Sequence, residues 1–212
     1  ERNGVEMYDV YTGFKWIANV MRENEGKKNY IGGGEESYGF LCEDFVRDKD
    51  AVSACVILAE IAAWAKDQGL SLYQLLQKIY VEYGFSKEKG ISVVKKGKSG
   101  AEEIEAMMKK FRENPLTEIA GSKVTYFYDY STLKGKDYAE NETVTLDMPT
   151  TSNVLQYFTE DNTKVSIRPS GTEPKIKFYC EVHSKVKSID ELPEAEKAAE
   201  EKINQIKASL GI

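Results

Sequence analysis

Arg168-Pro169-Ser170-Gly171-Thr172-Glu173-Pro174-Lys175-Ile176-Lys177-Phe178-Tyr179-Cys180-Glu181-Val182 joins a stiff polar turn to a segment in which every second side chain is apolar. Ile176, Phe178, Cys180 and Val182 alternate with Lys175, Lys177, Tyr179 and Glu181, the pattern of a strand with one buried and one wet face. Upstream, Lys164 to Arg168, Ser152 to Thr159 and Val124 to Tyr130 are also strand-like, with polar turns such as Glu160-Asp161-Asn162-Thr163 between them. These are expected to pair antiparallel. A closing helix carries Ala195, Ala199, Ile203, Ile206 and Leu210 on one side. Ile91 to Val94 is a short strand candidate, and Ser99 precedes a helix with Ile104, Met107, Met108 and Phe111 on one stripe, stopped at Asn114-Pro115. The module therefore reads β-α-β-β-β-α, with the polar stretch Lys134 to Thr143 as a loop.

The preceding part has a different texture. Phe14, Ile17, Ala18 and Met21 predict an amphipathic helix over 13–24, opened by Thr12-Gly13. Asn29 to Ile31 is a short strand candidate, followed by a loop, Gly32 to Phe40, with four glycines in nine residues. Ala51 to Ala65 is interrupted by Glu60 and is shorter than the ~20 residues that cross a bilayer, so it reads as a buried helix. Gly69 stops it, and Ser71-Leu72-Tyr73-Gln74 is a capping-box pattern opening another helix. Its face carries Leu72, Leu75, Leu76, Ile79, Tyr80 and Tyr83. A boundary is expected near residues 84 to 90, and no internal repeat is evident.

Composition narrows the function. The 212 residues are 41% hydrophobic and 30% charged, those of an ordinary globular chain long enough for one large domain or two small ones. The 29 Lys and Arg against 35 Asp and Glu give a net charge of −6, with no basic stripe for a phosphate backbone, so neither a nucleic-acid nor a membrane partner is expected. Cys42, Cys55 and Cys180 are an odd number without metal-type spacing, which points to reduced thiols and a cytoplasmic setting. The opening Glu1-Arg2-Asn3-Gly4 has neither Met nor a signal pattern, so the chain reads as the later part of a longer protein. The only histidine, His183, ends an apolar strand and reads as structural. Tyr126, Tyr128 and Tyr130 share one strand face and read as sheet packing.

Two loops are candidates for chemistry. A tetrahedral dianion is held by a planar guanidinium fork, hydroxyl donors and unhindered backbone N–H groups, and Arg168, Ser170, Gly171 and Thr172 supply all three between two prolines. The same residues also make an ordinary tight hairpin. Gly34-Glu35-Glu36-Ser37 presents carboxylates and a hydroxyl on approachable backbone, suited to neighbouring sugar hydroxyls, or else a glycine-rich loop with solvated acids. Lys49, between Asp48 and Asp50, is either a ligand-facing cation or half of a surface ion pair worth ~0–1 kcal/mol.

Together, Thr12-Gly13-Phe14-Lys15, Gly34-Glu35-Glu36-Ser37, Val46-Arg47-Asp48-Lys49-Asp50 and Arg168 to Lys175 make the chain resemble the C-terminal part of the α-D-phosphohexomutases, in the phosphoglucomutase/phosphomannomutase branch. The resemblance implies an α/β remnant of the third phosphohexomutase domain over 1–86. An α+β, TATA-binding-protein-like fourth domain with an antiparallel sheet follows over 87–212. It implies that the remnant leaves apolar surface and sheet edges uncovered. It further implies an intramolecular phosphotransferase that interconverts hexose 1-phosphate and hexose 6-phosphate through an N-terminal phosphoserine. Mg2+ and glucose 1,6-bisphosphate would serve the full-length parent, and this part would bind neither. The phosphoserine and metal-loop motifs are not in these 212 residues, so the chain alone is expected to bind substrate without turnover. By the same resemblance Arg168, Ser170, Gly171 and Thr172 hold the substrate phosphate, while Glu35 and Ser37 contact sugar hydroxyls. Thr12, Gly13 and Lys49 carry over to ligand-contacting positions. Many relatives have Gly-His after the Glu-x-Ser, whereas Tyr38-Gly39-Phe40 stands here, which leaves phosphomannomutase or phosphopentomutase activity as alternatives. A stand-alone phosphosugar-binding module is the alternative outside catalysis.

Overall fold

A computed structural model describes residues 3–35, 38–95, 97–171 and 173–212. The chain forms two compact units, Glu1–Leu75 and Leu76–Ile212, divided inside a helix.

In the first unit, α1 (Phe14–Glu23) buries Phe14 and Met21 against Leu41, with Ile17 and Tyr30 around them. The glycine-rich stretch is more regular than its composition implies. Gly32–Gly34 (β1) pairs antiparallel with Phe40–Cys42 (β2), Gly33 opposite Leu41. Gly33 has to be bare because a Cβ there would lie 2.7 Å from the Tyr30 hydroxyl and 3.2 Å from Ile17 Cγ2. The expected strand at 29–31 is therefore shifted onto the glycines, where the ribbon can approach α1. Helix α2 (Ala51–Asp67) is capped by the Asp50 carboxylate, which accepts from the Val52 and Ser53 amides at 3.1 Å.

The expectation that α2 is buried is overturned. Only Ala65 is buried, while Val52 is 74% and Trp64 55% exposed, because no described element of the unit lies over that face. The uncovered apolar surface implied by the resemblance is this helix. Helix α3 (Leu72–Tyr83) begins with the reciprocal cap read from sequence: the Gln74 amide donates to Ser71 Oγ, and the Ser71 amide donates to Gln74 Oε1. Its apolar stripe is also largely open, with Leu72, Leu76, Ile79 and Tyr83 exposed.

The second unit is an antiparallel sheet with helices on one face. Its strands are β3 (Phe85–Val94), β4 (Glu118–Ile119), β5 (Ser122–Asp129), β6 (Lys134–Asp137), β7 (Glu142–Thr145), β8 (Leu155–Thr159), β9 (Lys164–Pro169) and β10 (Lys175–Ser184). They run in the order β3-β10-β9-β8-β5-β6-β7, with β4 hydrogen-bonded to the start of β5. The α+β antiparallel expectation holds. Helix α4 (Gly97–Glu113) brings Ile104, Met108 and Phe111 onto the sheet, and α5 (Leu192–Leu210) brings Ala199, Ile203 and Ile206. The core strand residues are Leu155, Tyr157, Val165, Ile167, Ile176 and Phe178, all fully buried.

Two strand readings change. β3 covers ten residues rather than four, because Lys87 and Lys89 lie along α5 with their amines on Glu196 and Glu200. Their stems do the work that apolar side chains do elsewhere. The expected loop at 134–143 is instead largely the β6–β7 hairpin at the sheet edge. Gly135, opposite Tyr128, leaves the place the Tyr128 ring occupies, since a Cβ there would lie 2.4 Å from that ring. With glycine beneath the tyrosine ring and Lys136 opposite the core residue Phe127, this strand carries no apolar alternation to read.

His183 is exposed, with its Nε2 2.8 Å from the Glu181 carboxylate, because the strand's buried parity falls on Val182. Tyr126, Tyr128 and Tyr130 pack as expected, their ring centroids 5.9 and 6.5 Å apart along the face away from the helices.

Asp161, in the β8–β9 turn, ties this sheet to α5 through Lys202. Burial pushes its carboxyl up, but hydrogen bonds from Lys202, Thr159 and Thr163 outweigh that and bring it down from 3.8 to about 2. A depressed carboxylate stabilises the fold above its unfolded value and loses that contribution as pH falls through its folded value. The expected result is that Asp161→Asn costs about 1 kcal/mol at pH 6, after screening at this part-exposed site. The difference from the unsubstituted chain should shrink between pH 4 and 2, as read from urea unfolding midpoints across that range. A pH-independent difference would remove the charge from the explanation.

Candidate functional site

The candidate residues fall into two sets, one in each unit. In the second unit, β9 ends at Pro169 and β10 begins at Lys175, paired so that Ile176 faces Pro169. The turn between them is closed by the Ser170 amide donating to the Lys175 carbonyl at 2.8 Å and by the Lys175 amide donating to the Glu173 carbonyl at 2.7 Å. The Pro174 carbonyl accepts from the Lys95 amide at 2.9 Å, which moors the turn to the end of β3. Arg168, Ser170 and Gly171 are thus brought to one hydrogen-bonded turn, and Thr172 lies outside the described residues.

Strand parity separates the two sides of this turn. Ile167 is fully buried under the helices, so Arg168, the next residue, leaves the strand on the open face and is exposed. On the helix side, a cleft of about 630 Å3 runs from the start of α4 at Gly97 and Ala101 to Ser170 and Gly171. Its floor is fixed by Arg112, which donates from Nε to Asp129 at 2.8 Å and from Nη2 to Asn153 Oδ1 at 2.9 Å. Asp129 is itself buried and also accepts from the Ser131 amide and hydroxyl.

The pairing register shows a cation that the sequence reading left on the wet face without a role. Lys177 stands directly opposite Arg168, and like charges in such a pair repel. The neighbouring acids are engaged elsewhere, Glu173 with Lys175 and Glu181 with Lys164 and His183. The Lys175 ammonium beside it, with the charge of Lys177 adding, lowers the Glu173 carboxyl below its ordinary value. Among the described residues neither Arg168 nor Lys177 forms an ion pair with a carboxylate; the Lys177 ammonium lies over the Tyr179 ring at 5.9 Å. Two facing cations at the foot of this turn can hold a dianion. Only the alternation of charge at 175 and 177 hinted at Lys177, because a cross-strand partner is a property of register.

In the first unit, Glu35 and Lys49 are brought together. The Glu35 amide donates to the Gly39 carbonyl at 3.0 Å, closing the loop that joins β1 to β2. Around Gly39 lie the Glu35 carboxylate, the Phe14 ring and the Lys49 stem, and the Lys49 ammonium stands 5.5 Å over the Phe14 ring. Lys49 also pairs with Asp48 at 3.1 Å, so the ordinary ion pair is present alongside the approach to Glu35. Thr12 and Gly13 immediately precede Phe14, and Gly13 turns the chain into α1 with φ 119°. Ser37, with Glu36, lies outside the described residues. Tyr38 is fully exposed at the tip.

Cys42, Cys55 and Cys180 are free thiols, and burial pushes the Cys180 thiol up to about 11, away from reactivity. Among the described residues no cluster of three or more His, Cys, Asp or Glu is placed to hold a metal ion. No described helix is long and apolar enough to cross a membrane.

An α/β unit carrying a glycine-rich ribbon is thus followed by an antiparallel α+β unit carrying a tight polar turn. The sequence matches "Phosphoglucomutase/phosphomannomutase, alpha/beta/alpha domain III" over residues 1–83 and "Phosphoglucomutase/phosphomannomutase, C-terminal domain" over residues 92–199. It is 37% identical over 183 residues to a phosphoglucomutase of Staphylococcus haemolyticus, covering 86% of this chain and 33% of that protein. It is 41% identical over 177 residues to a phosphoglucomutase of Staphylococcus aureus, covering 84% and 32%. In fold it is similar to the open form of the exocytosis-sensitive phosphoprotein pp63/parafusin, a phosphoglucomutase from Paramecium. That similarity has a TM-score of 0.55 at 20% identity and covers 88% of this chain and 30% of that one. The chain belongs to the phosphoglucomutase/phosphomannomutase family, and it spans about a third of the length of the curated relatives it matches.

Proposed function

We propose that this chain is the substrate-holding part of a phosphoglucomutase-type enzyme, which interconverts hexose 1-phosphate and hexose 6-phosphate. The observation that carries the reading is the facing pair of Arg168 and Lys177 at the foot of the turn that carries Ser170 and Gly171. A phosphate dianion relieves their repulsion and accepts hydrogen bonds from the guanidinium fork and the Lys177 ammonium, with the Ser170 hydroxyl, the Gly171 amide and Thr172 as further donors. Glu35, with Ser37, reads sugar hydroxyls by accepting from them, and Lys49, Thr12 and Gly13 border the same loop. A mutase must hold one phosphosugar in two orientations, so a fixed anion site and a tolerant hydroxyl reader suit it. Binding energy at the remote phosphate then orients the reacting oxygen.

The phosphoryl group passes between a phosphoserine and a sugar hydroxyl, and that serine loop is supplied by the parent enzyme, as are magnesium and the bisphosphate activator. The chain alone binds without turnover, and its three free thiols suit the cytoplasm.

The test is an amide chemical-shift titration with glucose 1-phosphate, repeated with mannose 1-phosphate and ribose 1-phosphate. Shifts at both 34–39 and 168–171 with one preferred sugar support the reading and name the sugar. Shifts at 168–171 alone remove the sugar-reading assignment, and no shifts at millimolar ligand overturn the binding role of this chain.

A further inference from the structure

We propose that Gly39 is a positioning residue for sugar recognition, its bare Cα forming the seat on which the Glu35 carboxylate rests. The inference rests on the reading of the β1–β2 loop as the sugar-binding element. A Cβ built on Gly39 would lie 2.6 Å from Glu35 Oε2, 2.9 Å from Phe14 Cε2 and 3.2 Å from Lys49 Cδ. Three side chains from three parts of the sequence therefore converge on one missing methyl group, and two of them are candidate ligand contacts.

The need for glycine here is one of space. Gly39 is not among the glycines with a left-handed backbone, so alanine can adopt its conformation. What alanine cannot do is leave its neighbours in place. Phe14 is 5% exposed and packed with Met21 and Leu41, so its ring has little room to yield. The Glu35 carboxylate is the free end of a flexible side chain and yields at little cost to the fold. The methyl group therefore displaces the acid, and with it the acceptor offered to a sugar hydroxyl, while the loop-closing bond from the Glu35 amide to the Gly39 carbonyl stays compatible with alanine. Displacing a binding group by about 1 Å is enough to cost one to two orders of magnitude where geometry decides.

The experiment compares four chains: unsubstituted, Gly39→Ala, Phe14→Leu, and Gly39→Ala with Phe14→Leu. Each is titrated with glucose 1-phosphate and, separately, with inorganic phosphate, and its thermal midpoint is recorded. Gly39→Ala is expected to weaken glucose 1-phosphate at least tenfold and to leave inorganic phosphate within twofold. Leucine at 14 removes the ring that the methyl group meets, so the double variant should melt with Phe14→Leu yet still bind the sugar phosphate at least tenfold more weakly than Phe14→Leu. If affinity returns with the midpoint, or if Gly39→Ala binds like the unsubstituted chain, Gly39 only packs and the inference is overturned. An unsubstituted chain that responds to inorganic phosphate but shows no glucose 1-phosphate response at Glu35 overturns the sugar-reading assignment, and this inference with it.

Discussion

Replacing Arg168 with alanine should weaken glucose 1-phosphate binding by roughly ten- to a hundredfold, the range for losing a charge-assisted hydrogen-bonding partner. The same change should leave thermal stability unaltered or raise it slightly. Arg168 is exposed and faces Lys177 across the β9–β10 pair, so its removal relieves a like-charge contact that costs about 0.2–1 kcal/mol. Arg168→Lys should recover only part of the affinity, because the charge returns without the planar fork. The measurement is a titration paired with a melting curve for each variant. A variant that binds as well as the unsubstituted chain, or one that melts well below it, would return the turn to the status of an ordinary hairpin.

The second large effect is on stability. Phe178 is fully buried in the centre of β10 and meets Phe111 of α4 edge to face at 6.2 Å. Phe178→Ala should cost about 3–5 kcal/mol through lost burial and the cavity left behind. Against a total of roughly 5–15 kcal/mol for a domain, that brings the second unit near its unfolding threshold. Urea unfolding should show a much lower midpoint with an unchanged slope. A loss below about 1 kcal/mol would mean that the sheet and α4 repack around the gap. Tyr157, on β8, is held differently, its hydroxyl donating to the Phe111 carbonyl at 3.0 Å, and burial pushes its pKa well above the ordinary tyrosine range.

What was legible in the sequence follows from what kind of signal each element carries. β10 announces itself because its buried parity is filled by Ile176, Phe178, Cys180 and Val182, and the cap of α3 is legible because Ser71 and Gln74 are local partners. β6 is silent because Gly135 lies beneath a tyrosine ring and Lys136 stands opposite the core residue Phe127, and the first half of β3 because lysine stems replace apolar side chains. The exposure of α2 is hidden for a different reason: an apolar sequence states what a helix would gain from a cover, not that the chain supplies one. At the site, the hydroxyl, guanidinium and glycine residues of 168–171 could be read from their chemistry alone. Lys177 and Gly39 could not, since one depends on cross-strand register and the other on three side chains meeting at a point in space.

The pairing of β3 with β10 sets a timetable for synthesis. All ten residues of β3 find their partners in β10, from Phe85 opposite Ser184 to Val94 opposite Lys175. At translation rates of about 5–20 residues per second, β3 waits roughly 5–20 s for the strand that completes it. During that interval the ribosome holds a nascent chain whose longest hairpin partner does not yet exist, and α4 must fold without the β10 surface it covers in the finished unit. Lys87, Glu88 and Lys89 place charge on the waiting strand, and charge on an unpaired edge disfavours pairing with another chain.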